Sequence, residues 1–212
     1  MIYGHRVDFR DFTDPAVEID GLEVAHDALL ERLERLRPDP SSPTRLPGWS
    51  IGHVLTHVGH NAAGYRSVLH GEPQYESYDA RDRAIDAVAN RPLGDTVAAM
   101  RLAHDALVAA FRAETDFGRT VQLLVRPTQP GLMTLGRRRE IEVHHLDLGL
   151  GRAPDDIDDG YVERDTAMLT AWWEAKAREP LPDLVGAQDS LGRWLWLVGR
   201  SEIEGLDAAG LF

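Results

Sequence analysis

The chain has 212 residues, a formal net charge of −12 at neutral pH, 43% hydrophobic and 27% charged residues, and no cysteine. This composition fits one globular domain with a real core and excludes a disordered chain; no apolar run reaches the roughly 18 residues of a membrane helix, and the acidic balance argues against a nucleic-acid partner. Without cysteine there is no disulfide, no thiolate zinc site and no protein-borne thiol nucleophile, so a reaction that uses a thiol must take it from a small molecule.

The N-terminal stretch Met1 to Arg6 lacks the apolar segment of a secretory signal, which predicts a cytoplasmic protein. Asp14-Pro15 opens a first helix, with Asp14 as N-cap and Pro15 in the first turn. Val17, Leu22, Leu29, Leu30, Leu33 and Leu36 follow at helical spacing until Pro38 ends the run. Leu46-Pro47-Gly48-Trp49-Ser50 turns the chain into a second helix capped by Ser50, with Ile51, Val54, Leu55, Val58 and Ala62 as its apolar stripe. Residues 73–91 read as a polar loop with room for a short helix. A third long helix is predicted from Leu93 to Glu114. Val121 to Val125 is an apolar run open to strand or loop. A fourth helix spans about Leu132 to Leu150, and a fifth about Asp158 to Arg178. A short amphipathic segment, Leu191 to Val198, carries Trp194 and Trp196.

Long helices separated by breakers predict a mainly α fold, a four-helix bundle with a short C-terminal appendage. The expected division is 1–180 for the bundle and 181–212 for the appendage. Arg137, Arg138 and Arg139 form the longest basic run and read as a solvated helix face. His26 and His104 fall at the inner edge of amphipathic helices. Trp172 and Trp173 should divide between core and surface. Tryptophans exposed on the tail would suit a contact with a second copy, which keeps a homodimer open.

Helical angles narrow the nine histidines. With Ile51 at zero, the apolar stripe of the second helix lies near zero, His53 and His60 fall on the opposite, solvent side, and His57 falls at about 240°, on the edge of the buried face. With Ile141 at zero on the fourth helix, Glu140 lies at about 260° and His144 at about 300°, one turn apart on a face shared with apolar residues. Glu142 and His145 point elsewhere. A carboxylate on an apolar face must be paired or metal-bound. Spacing alone leaves two readings, a metal site or a buried pair of Glu140 with His144 or Arg137. His57, Glu140 and His144 together would form a two-nitrogen, one-oxygen set with an open position, the pattern of a catalytic zinc. Iron, nickel and manganese also suit such ligands. A protein side chain in the fourth position, with Asp147 or His60 as suspects, would instead mark a structural metal.

The stretch Leu46 to Asn61, through Leu46, Pro47, Gly48, Trp49, His53, Val54, Leu55, His57 and Asn61, resembles the second-helix motif of the mycothiol-dependent maleylpyruvate isomerases, which are DinB-like metal-binding helix bundles. Arg139 to Gly149, with Glu140, His144 and Asp147, resembles their fourth-helix motif. Gly192, Trp194, Leu195, Gly199 and Arg200 resemble a third, shorter one. The likeness runs from about Val17 to Arg200. It departs from the family at the C-terminus, where only about 30 residues follow Pro182 in place of a larger α/β domain.

The resemblance implies zinc held by His57, Glu140 and His144, mycothiol as an external thiol cofactor, a small-molecule substrate and a catalytic role for Arg200. The implied reaction is a cis–trans isomerisation. Zinc-bound thiolate would add to the electron-poor double bond of maleylpyruvate, the new single bond would rotate, and thiolate loss would give fumarylpyruvate. Arg200 would offer a cation to the substrate carboxylates and the developing enolate. A mycothiol S-transferase would share the thiolate step. A metal-binding bundle without catalysis, or a bundle with no metal, remains the alternative of a different class.

Overall fold

A computed structural model describes residues 8–207 and 209; Met1 to Arg6, read above for a signal, lies outside them. Among the described residues there are eight α-helices and one two-stranded ribbon. The chain forms two compact units, Asp14–Arg152 and a second that joins the N-terminal residues through Thr13 to Ala153 onward. The expected division at residue 180 therefore lies inside the second unit, because the fifth long helix packs with the C-terminal segment.

The first unit is the four-helix bundle. Helix α1 (Pro15–Leu36) starts where the Asp14 side chain accepts from Ala16 N, and it stops at Arg37, in the left-handed region at φ 43°. Helix α2 (Ile51–Leu69) follows a Ser50 cap. Here the sequence expectation for His53 needs correction. His53 is half-buried, and its Nδ1 takes part in a capping box with Ser50. A short α3 (Tyr78–Asp86) leads to α4 (Leu93–Ala113). Strands β1 (Val121–Gln122) and β2 (Pro127–Thr128) pair antiparallel, with Val121 opposite Thr128. Helix α5 (Pro130–Asp147) opens with proline at its first turn, and Gly149 at φ 68° closes it as the left-handed residue after the cap.

Each of α1 and α2 packs against both α4 and α5, which closes a ring of four helices. Leu22, Leu29, Leu33, Val54, Leu55, Val58, Leu107, Phe111 and Ile141 fill its middle. Each such side chain contributes about 1.5–3 kcal/mol when fully buried. Gly52 sets how closely α2 approaches the segment before α4: a Cβ there would stand 1.8 Å from the Ala89 carbonyl oxygen.

In the second unit α6 (Asp159–Ala177) packs against α8 (Ser190–Leu197), with a one-turn α7 (Asp183–Gly186) between them in sequence. Trp194 and Trp196 are both buried, so the tail does not display the tryptophans that a dimer contact would have used. Trp194 Nε1 donates to Asp165 Oδ2 at 2.7 Å, and Trp173 packs 6.0 Å from Trp196. No described helix is long and apolar enough to cross a membrane.

Candidate metal centre

Helices α2 and α5 carry the centre. His57 Nε2 lies 3.1 Å from Glu140 Oε2, and His144 Nε2 lies 3.5 Å from the same oxygen. All three ligand atoms lie within 4.8 Å of one another, the one such group among the described residues. Ligands at about 2.0–2.1 Å from a tetrahedral zinc ion stand roughly 3.3 Å apart. The two distances to Glu140 Oε2 match that separation, and the donor set suits a first-row divalent ion. The side chains keep 11%, 26% and 12% of their exposure, so the cluster is open on one side.

The second layer orients these ligands. Asp147 Oδ2 accepts from His144 Nδ1 at 2.9 Å. That bond assigns the proton of a neutral His144 to Nδ1 and leaves the Nε2 lone pair facing the centre. The rings of His57 and His144 meet edge to face at 4.8 Å, and Trp49 lies against His57 at 5.4 Å.

The electrostatics favour a cation. Burial alone would push the Glu140 carboxyl up, but bonds from His144 and His57 hold it well below the usual range. Burial pulls His57 down against the attraction of Glu140. Burial also opposes charge on His144, but Asp147 and Glu140 outweigh it and raise its pKa. The buried carboxylate thus draws positive charge onto His144, a role a metal ion would take over.

One turn along both helices a second rung joins them. Arg137 Nη1 donates to Asn61 Oδ1 at 2.9 Å, and the guanidinium is wholly buried. The arginine run is a clear correction, since Arg137, Arg138 and Arg139 are all buried rather than a solvated face. Arg138 reaches toward Glu18 and Glu142, over the bare Cα of Gly21, where a Cβ would stand 2.3 Å from its Nη1. Glu142 and His145, off the Glu140–His144 face as their angles predict, are buried too, and Arg152 binds Glu142 at 2.5 Å.

The three predicted ligands thus come together. Arg200 lies in the other compact unit, where its Nη1 donates to Val198 O at 2.9 Å. Asp147 serves as a partner of His144 rather than a fourth ligand. His60 is half-buried and outside the cluster. Sequence reasoning missed the Asn61–Arg137 rung, although its signal was present: Asn61 follows His57 by four residues and Arg137 precedes Glu140 by three.

Comparison with known families matches residues 22–149 to the mycothiol maleylpyruvate isomerase N-terminal domain. The crystal structure of the mycothiol-dependent maleylpyruvate isomerase superposes with a TM-score of 0.77 at 18% identity, over 92% of this chain and 93% of that chain. A histidine-to-alanine mutant of that isomerase gives the same values. The shared fold extends through the C-terminal part, so the shortened C-terminus expected from the sequence is not a difference from that structure. No curated protein matches the chain.

Proposed function

The chain belongs to the family of the mycothiol maleylpyruvate isomerase N-terminal domain, and from that premise we propose a metal- and mycothiol-dependent enzyme that isomerises a small unsaturated acid of the maleylpyruvate type. The observation that carries this reading is the open cluster of His57, Glu140 and His144. Zinc suits these donors, and when bound it would supply a Lewis acid that holds a small-molecule thiol as thiolate near neutral pH. His57 and His144 would hold the ion through Nε2 and Glu140 through Oε2. Asp147 would keep His144 in the required tautomer. Arg200 is the proposed cation for the substrate carboxylates.

The test is metal content of protein purified without added metal, followed by assay of maleylpyruvate isomerisation with and without mycothiol. The wild type should carry about one equivalent of zinc, and His57→Ala and Glu140→Ala should lose it together with thiol-dependent turnover. Arg200→Ala should keep the metal and lose turnover. Metal-free wild type that cannot be reconstituted would overturn the reading. A product that retains the thiol would redirect it to an S-transferase.

A further inference from the structure

Resting on the metal-centre reading, we propose that Arg137 is a specificity-determining residue, whose buried and unmatched positive charge makes the open position of the centre select an anionic ligand over a neutral one.

The guanidinium is wholly buried, and a buried charge needs an opposite charge or a full set of hydrogen bonds. Arg137 has one bond, from Nη1 to Asn61, while Nε and Nη2 find no protein acceptor. Burial lowers its pKa to about 10, so it stays charged at neutral pH. Glu140 is the carboxylate that acts on it. The phenols of Tyr65 and Tyr75 act on it as well, but burial pushes both up, so neither is a counter-anion. On the α1 and α4 side it acts on His26 and His104, stacked at 3.6 Å, and burial holds both neutral.

Arg137 therefore depends on a carboxylate that it must share with the centre. Once a divalent cation draws on Glu140, that carboxylate no longer offsets both positive charges. A neutral fourth ligand leaves the excess in a low-dielectric interior, whereas an anion cancels it. A thiolate or another compact anion meets the requirement. Arg81, which also acts on His57, is a poor substitute because it is bound to Asp82.

The test uses the full chain loaded with cobalt(II), whose visible spectrum reports ligand exchange without turnover. Thiocyanate serves as the anionic probe and imidazole as the neutral one. Arg137→Met should weaken thiocyanate about tenfold or more, one decade being 1.4 kcal/mol, while imidazole affinity stays within about threefold. Arg137→Lys, which keeps the charge, should stay near wild type for both. Arg137→Gln keeps a donor for Asn61 and gives the same comparison if the methionine variant fails to fold. Equal losses for both probes, or no loss for either, would overturn the proposal while leaving the metal centre intact. Wild type that binds no cobalt would instead overturn the metal reading beneath it.

Discussion

Helix α5 carries two charged clusters that differ in the property that matters. Toward α2, one carboxylate faces two imidazoles, and the group keeps up to 26% side-chain exposure. Toward α1, Arg138 stands between Glu18 and Glu142, Arg152 closes on Glu142, and none of the four side chains exceeds 9%. The closed cluster balances two guanidiniums with two carboxylates. The open one aims three lone pairs at a common point. Charge on a buried helix face is therefore not a sign of function by itself. Function shows where the donors converge and the charge is left for a ligand to complete.

The contrast can be broken from either side. The largest effect on stability is expected in acid, from the stacked pair His26 and His104, which is closed but uncharged. Their pKa values fall from the ordinary 6.5 to about 3 and about 2 in the folded chain. The unfolded chain thus binds more protons below pH 6.5, so their contribution is complete above that pH and lost as pH falls toward 3. Over two units the pair should cost on the order of 5 kcal/mol. Urea titrations at several pH values should show the slope, and His104→Leu should reduce it.

Next comes Glu142→Ala, which removes a buried carboxylate shared by Arg138 and Arg152. Its expected cost is about 3–5 kcal/mol with metal content unchanged, and lost metal at unchanged stability would merge the two clusters. Gly21→Ala presses on Arg138 from α1 and should cost about 1–3 kcal/mol by thermal unfolding. The smallest effect is on the open side: Asp147→Asn should weaken metal binding about 10-fold, at the lower end for such partners, as read by competition with a chelator. Unchanged affinity would remove Asp147 from the centre.

Much of this was legible in the sequence. Proline and glycine breakers bounded each long helix, and the turn spacing of Glu140 and His144 put both on one face. The Leu46–Asn61 motif pointed to His57 as the third ligand. What escaped was burial around the rest of α5. An arginine run reads as solvated unless its partners are known, and Glu18 lies about 120 residues away in sequence. Gly21 makes the space for Arg138 but carries no mark of doing so. His53 reads as an outward histidine by angle, yet the Ser50 cap draws it in, because helix ends obey hydrogen-bond demand before hydrophobic periodicity. The unit boundary near Arg152 was equally hidden, since α6 has the length and composition of a bundle helix and only its packing partner distinguishes it.

Trp49 has an optical consequence. Of the five tryptophans, four lie at 172, 173, 194 and 196, in the second compact unit. Trp49 is the single indole of the bundle unit, and it rests on the edge of His57. Excited indole is quenched by a nearby protonated imidazole and is sensitive to a metal bound there. The protein therefore carries its own emission probe within one ring's width of the ligand it would report, and Trp49→Phe separates that signal from the background of the other four.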